Sequence, residues 1–292
     1  MRLRRTFALA TATVLALGLA ACGGDDDDTS APPVATGTQF PAGSTMAALN
    51  TAQSIKIGVK YDQPGVGFLN PETNENEGLD IEIAKIVAGA LGIPEDKIEW
   101  VETVSANREP FLQAGTVDIV VASYSITDER REVVGQAGPY YLTGQQLLVR
   151  EADKDRITGP DQLSGIKVCS VTGSTSIERV EQDYGAQPVP FATYTECVQQ
   201  LLNNSVDAVT TDGSILLGYA AQQPDDLEVV GDAFSEERYG IGYKHADTAM
   251  CEFLNETLTK AFTDGTWKTA FDNTLGQSGA EAPQPPTLDP CT

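Results

Sequence analysis

Apolar and polar positions along this chain follow two alternating rhythms. Residues 55–59 (Ile-Lys-Ile-Gly-Val) form a short apolar run that predicts a buried strand. Leu79, Ile83, Ile86, Val87, Ala90 and Leu91 recur at helical spacing, and Gly92 suits the helix end. Residues 98–101 predict a strand, 107–114 a helix, and 117–122 a strand opening into Ser123-Tyr124-Ser125. This β-α-β-α-β block implies a mostly parallel sheet with helices on both faces. A similar series follows Gly159-Pro160: strand 166–171, helix 175–184, helix 195–202, strand 206–210 and helix 213–221. Thr175-Ser176-Ile177-Glu178 fits a capping box. Segments 145–150 and 238–244 bracket this second block and are expected to be the two crossovers of a hinge. Helices near 249–262 and 266–275 then return to the first block. The expected architecture is two α/β lobes joined by a two-strand hinge, with a cleft between them where a small ligand binds.

The ends read differently. Arg2, Arg4 and Arg5 precede an apolar stretch, 7–19, too short to span a bilayer. The stretch ends in Leu19-Ala20-Ala21-Cys22, which matches the lipobox of bacterial lipoprotein signals, so Cys22 is the expected lipidated first residue. An ordinary secretory signal with a chance Cys is the alternative. Residues 22–50 are small and polar, with Asp25 to Asp28 in a run, and are expected to be a disordered tether. The expected organisation is signal peptide 1–21, tether 22–50, first part of lobe 1 at 51–149, lobe 2 at 150–242, and 243–292 returning to lobe 1 and ending in a Pro-rich tail.

Charge and cysteines narrow the class. Loss of residues 1–21 removes three Arg and no acid, so 16 basic residues face 42 acidic ones, a net charge of −26. Nucleic acid is thereby an unsuitable partner, and an anionic ligand would need a local cluster of positive charge. Four Cys remain besides Cys22: Cys169, Cys197, Cys251 and Cys291. In an exported chain they suggest two disulfides with three connectivities, and closeness in sequence favours Cys169–Cys197 and Cys251–Cys291. A zinc site is disfavoured, because there is no C-x-x-C and the only His, His245, is isolated. No nucleophile elbow, P-loop, H-E-x-x-H or dinucleotide fingerprint is present, so neither a cofactor nor a metal is expected.

A set of loop segments at strand ends stands out: residues 58–62 (GVKYD), 78–82 (GLDIE), 104–108 (VSANR), 123–130 (SYSITDER), 138–141 (GPYY), 171–176 (VTGSTS) and 206–212 (VDAVTTD). In these segments, in this order over 54–275, the chain resembles the family 3 extracellular solute-binding proteins of polar amino-acid ABC transporters, and above all their glutamate- and aspartate-binding members. It departs from them at Gly65-Val66, where many members carry a Pro-aromatic pair. The resemblance implies the type II periplasmic-binding-protein fold. It also implies that Arg130 forks onto the ligand α-carboxylate, with Ser123 and Ser125 adding contacts. Thr175, at a helix start, would grip the same carboxylate. Asp212 would take the α-ammonium, with Asp207 the bland alternative. Lys60 and Arg108 stand where acidic-ligand members carry cations, and two cations would select a side-chain carboxylate over an amide. Lys60 as a surface residue, and Arg108 paired with Glu102 or Glu109, are the structural alternatives. Tyr61 and Tyr194 are further candidates for the pocket wall, whereas Tyr140 and Tyr141 pack under the hinge.

The implied protein is no enzyme. It is a monomeric, lipid-anchored receptor on the outer face of the cell membrane that hands glutamate or aspartate to an ABC permease and its ATPase. A sensor lipoprotein presenting the closed form to a signalling membrane protein would have the same site. A cleft enzyme on this fold would need a poised acid or base beyond the amino-acid clamp.

Overall fold

The computed structural model describes residues 32–278, 280 and 282–291. The signal stretch and Cys22 lie outside them. Two five-stranded sheets dominate. In spatial order the first contains Ile98–Glu102, Ile55–Val59, Ile119–Val120, Glu237–Tyr243 and Gly135–Thr143. Its first three strands are parallel, and Glu237–Tyr243 runs antiparallel to both its neighbours. The second contains Gln187–Phe191, Lys167–Val171, Ala208–Asp212, Gln145–Arg150 and Leu227–Val230. Its first three strands are again parallel, and Gln145–Arg150 is antiparallel to both neighbours. Each sheet is the core of one α/β lobe, which is the expected type II fold. A small antiparallel sheet of Asp62–Gln63, Gly67–Leu69 and Asn76–Glu77 projects from lobe 1.

The segments expected to be hinge crossovers are sheet strands instead. Gln145–Arg150 belongs to lobe 2 and Glu237–Tyr243 to lobe 1, and both are largely buried. The crossings are the short links beside them, at Gly144 and 231–236. They are stitched together by Gln145 N–H donating to Ser235 Oγ at 3.0 Å and Phe234 N–H donating to the Gln145 carbonyl at 2.9 Å.

The tether expectation is corrected for residues 32–50, while its residues 22–31 lie outside the described ones. Residues 45–52 form the helix Thr45–Ala52, in which Ser44 caps the N-terminus and Met46 and Leu49 are buried. Upstream, Phe40 meets Phe253 edge-on at 5.7 Å and Ala35 N–H donates to the Gly89 carbonyl at 2.9 Å. Three or four apolar anchors at the right spacing were enough to dock a segment whose average composition reads as unfolded.

In lobe 1 the helix Leu79–Ala90 buries Leu79, Ile81, Ile83, Ala84 and Val87 completely. Each buried Leu, Ile or Val side chain contributes about 1.5–3 kcal/mol. The helices Thr248–Asp264 and Thr266–Asp272 cover the same lobe, and Trp267 Nε1–H donates to the Tyr140 carbonyl at 2.9 Å. The C-terminal tail is held at two points. Cys251 and Cys291 lie at bonding distance, and Asp289 pairs with Arg131 and Arg238. Cys169 and Cys197 also lie at bonding distance, linking a strand to a helix of lobe 2.

Candidate functional site

Between the lobes lies a polar cavity of ≈ 10 Å³, room for about one water molecule. Lobe 1 lines it with Ser105, Arg108, Ser123, Ser125 and Arg130, and lobe 2 with Ser174, Thr175, Ser176, Tyr194, Thr211 and Asp212. Seven of the nine binding residues expected from the sequence therefore converge here. A molecule much larger than a water does not fit the cavity with the lobes in this arrangement.

The two arginines are built into lobe 1 differently. Arg108 begins the helix Arg108–Ala114 and is 2% exposed. Its Nε donates to the Ser105 carbonyl at 3.2 Å, and its Nη1 to the carbonyls of Ala122 and Ser123 at 3.2 and 3.1 Å. Burial, then the charge of Arg130, pushes it down to about 10, so it stays cationic at neutral pH. Arg130 lies in the short helix Asp128–Arg131, capped by Thr127. Its Nη1 donates to the Ser125 carbonyl at 2.7 Å, and its Nε pairs with Glu109 Oε1 at 3.1 Å. Glu109 thus pairs with Arg130 and not with Arg108. Both Nη2 groups then point across the cleft to the same atom, the Gly173 carbonyl oxygen, each at 3.1 Å.

Gly173 is fitted to that place. Its φ is +78°, and a Cβ there would lie 2.9 Å from Ala106 Cα on lobe 1. A side chain would hold the lobes apart. The next residue, Ser174, caps the helix Thr175–Gln182 by accepting from Ile177 N–H. The cap falls one residue before the expected capping box, and the reciprocal Thr193–Glu196 box occurs on the helix Tyr194–Leu202. The Thr175 hydroxyl, freed from capping, donates to Glu237 Oε2 at 3.1 Å.

Asp212 ends the strand Ala208–Asp212 and faces the arginines. Its Oδ2 accepts from the Tyr239 hydroxyl at 2.6 Å, while Oδ1 is buried with no partner. Burial, then the charge of Glu237, pushes its carboxyl up to about 7. An unpaired carboxylate oxygen out of water is costly. Asp207 is placed otherwise, at the surface with Arg156 and the Lys167 N–H.

Lys60 is buried but is not part of the cavity wall. Its Nζ donates to Ser105 Oγ at 2.9 Å, one layer behind the lining. Burial, then Arg108, pushes it down to about 7. Tyr61 does not line the cavity either, and its hydroxyl donates to the Trp100 carbonyl at 3.3 Å. Tyr194 does line it, with its hydroxyl 3.4 Å from Ser170 Oγ. Ser123 holds a positive φ of 41°, a strained backbone for a residue with a side chain. Asp80 fixes it there: Oδ2 accepts the Ser123 N–H at 2.6 Å, and Oδ1 accepts the Tyr140 hydroxyl at 2.6 Å. The sequence offered Asp80 only as part of a matching segment, because the contact with residue 123 is tertiary.

A second set of contacts fastens the lobes beside the cavity. Asp62, on the small lobe 1 sheet, accepts the Tyr194 N–H through Oδ2 at 2.6 Å, and its carbonyl accepts the Tyr219 hydroxyl. Gly218 lets this sheet in, since a Cβ there would lie 2.2 Å from the Pro64 carbonyl oxygen. Among the described residues, no group of three or more His, Cys, Asp or Glu is gathered for a metal.

The chain is similar to known proteins in sequence and in fold. Residues 55–277 match the family described as bacterial extracellular solute-binding proteins, family 3. The chain is 42% identical over 235 residues to the glutamate-binding protein GluB of Corynebacterium efficiens, covering 77% of this chain and 79% of that one. It is 33% identical to the ABC transporter glutamine-binding protein GlnH of Bacillus subtilis, covering 96% of this chain and 100% of the relative. Among solved structures, the solute receptor for L-cysteine of Neisseria gonorrhoeae superposes with a TM-score of 0.77 at 28% identity, over 84% of this chain and 99% of that one. With a matching two-lobed fold, a charged cleft between the lobes and a family match across nearly all of both, this chain belongs to the bacterial extracellular solute-binding proteins of family 3.

Proposed function

We propose that this amino-acid receptor takes an acidic amino acid, glutamate before aspartate, in the interlobe cleft. It delivers the ligand to an ABC importer while anchored outside the cell through Cys22. The observation that carries the reading is the convergence of two guanidiniums on one lobe 2 carbonyl oxygen, opposite an unpartnered Asp212 oxygen. The Gly173 carbonyl stands where a carboxylate oxygen would stand. Opening the lobes frees both Nη2 groups, and an incoming carboxylate replaces a neutral acceptor with a charged one.

The parts then divide. Arg130, with the Ser123 and Ser125 hydroxyls, holds the α-carboxylate. Asp212 accepts the α-ammonium through Oδ1. Thr175 contributes its N–H at a helix start. Arg108 takes the side-chain carboxylate, and Lys60, pushed down to about 7 by burial, adds positive potential from behind Ser105 only in the fraction that is protonated. Tyr194 closes the lobe 2 side. The glutamate-binding relative, at 42% identity, is also more similar to this chain than the glutamine-binding one, at 33%. Ligand-stabilised closure presents a shape that a permease can recognise.

Calorimetric titration with glutamate, aspartate, glutamine and asparagine tests the assignment. Glutamate should bind tightest. A preference for glutamine would overturn the acidic-ligand reading while leaving the receptor reading intact.

A further inference from the structure

Two guanidiniums held side by side, Arg108 buried and Arg130 partly so, repel each other, so something must offset that repulsion. Tyr124 lies between their anchor points and is fully buried in a small cluster with Leu112, Val120, Ala122 and Val134. Its ring centroid is 4.5 Å from the Arg108 guanidinium carbon and 5.0 Å from that of Arg130. Both distances fall within cation–π range, where the negative face of a ring attracts a cation. The Tyr124 hydroxyl donates to Glu109 Oε1 at 2.7 Å, and the same oxygen receives Arg130 Nε at 3.1 Å. One side chain therefore touches both cations through its ring and reaches one of them again through a carboxylate.

We propose that Tyr124 is a positioning residue for ligand selection: its ring sets Arg108 and Arg130 as a pair, and its hydroxyl, through Glu109, sets Arg130. Arg108 is the nearer cation, and the carbonyls of Ser105, Ala122 and Ser123 that hold it in lobe 1 are all neutral, so the negative face of the ring is the charge compensation it draws on in this network. Arg130 has a charged partner of its own, Glu109, and the Ser125 carbonyl; losing the Tyr124 hydroxyl loosens Glu109 but leaves that charge beside Arg130. Removing the ring therefore loosens the side-chain cation more than the α-carboxylate cation. The inference rests on the assignment of Arg108 to the side-chain carboxylate.

The test uses the soluble mature chain with Tyr124→Phe, which keeps the ring, and Tyr124→Leu and Tyr124→Met, which remove it. Glutamate and glutamine affinities are measured by calorimetry, with a melting curve for each variant. The expected result is a glutamate-to-glutamine affinity ratio lowered about fivefold or more in the Leu and Met variants, equivalent to about 1 kcal/mol. In Tyr124→Phe the ratio stays within about twofold of wild type. A purely structural role moves both affinities together and leaves the ratio alone, so an unchanged ratio in a folded ringless variant overturns the inference. Equal loss of the ratio in Tyr124→Phe overturns it too. Failure of the ligand assignment looks different, because wild type itself then shows no glutamate preference. In that case pairing of the arginines still requires the ringless variants to bind their best ligand at least about tenfold more weakly than Tyr124→Phe, and equality of the three refutes it.

Discussion

Asp212→Asn should move stability and binding in opposite directions. The carboxyl lies at about 7 in the folded chain against 3.8 for a free Asp, chiefly because it is buried. The folded state therefore holds this proton more tightly between those two values, and stability falls as pH rises through that window. Above pH 7 the loss is complete, on the order of 4 kcal/mol. Asn keeps the shape and can still accept from the Tyr239 hydroxyl, but it removes the charge. Its amide inherits the unpartnered Oδ1 position, which costs about 1–3 kcal/mol. A net gain of about 1–3 kcal/mol at pH 8 remains, or at least ~2 °C in Tm for a chain of this size. At pH 4 the wild-type acid is protonated when folded, and the gain disappears. Binding should go the other way: losing the charged partner of a buried ammonium weakens any amino acid by roughly 2–5 kcal/mol. Melting curves at pH 8 and pH 4, with a glutamate titration at pH 8, read both effects. Binding within threefold of wild type would refute Asp212 as the ammonium acceptor. A lower Tm at pH 8 would refute the burial argument.

Three further outcomes follow from the same contacts. Asp62→Ala removes the acceptor for the Tyr194 N–H; it should weaken glutamate and glutamine equally and raise the radius of gyration of the ligand-bound protein in X-ray scattering, and a selective loss for one ligand would contradict the fastening role. Peptide mapping without reductant should recover Cys169–Cys197 and Cys251–Cys291, loops of 28 and 40 residues, and converting either pair to Ser should cost about 2–4 kcal/mol by thermal unfolding; crossed pairs or free thiols would defeat this. Cys22→Ser should move the protein from the membrane to the soluble fraction on cell fractionation, and unchanged membrane retention would exclude lipid anchoring there.

Much of the architecture was legible because its strands and helices are strongly periodic. Gly135–Thr143 was not, since Gly135, Gly138 and Pro139 punctuate it as a loop would be. Gln187–Phe191 carries two prolines and survives as a strand only at a sheet edge. The helix Thr45–Ala52 was hidden because two buried residues suffice to dock it, too few to change the composition of its segment. At the site, residue types with specific chemistry could be picked out by their loop segments, and Arg108, Arg130 and Asp212 do meet in one cavity. Their supports were invisible. Asp80 under Ser123, Glu109 under Arg130 and Tyr124 beneath Arg108 act through contacts between separate stretches, which no spacing rule encodes. Lys60 shows the same limit: its type and strand-end position suggested the wall, but Ser105 stands between it and the cavity.

The central claim is that Arg108 reads the side-chain carboxylate, and the ratio of glutamate to glutamine affinity in wild type and Arg108→Ala tests it most directly. The ratio cancels general damage to the fold, since both ligands share the α-carboxylate and ammonium contacts. Wild type should prefer glutamate, and Arg108→Ala should lose roughly 2–5 kcal/mol for glutamate and far less for glutamine, collapsing the preference. A preference unchanged in Arg108→Ala, or a wild type that binds glutamine more tightly, would contradict the account.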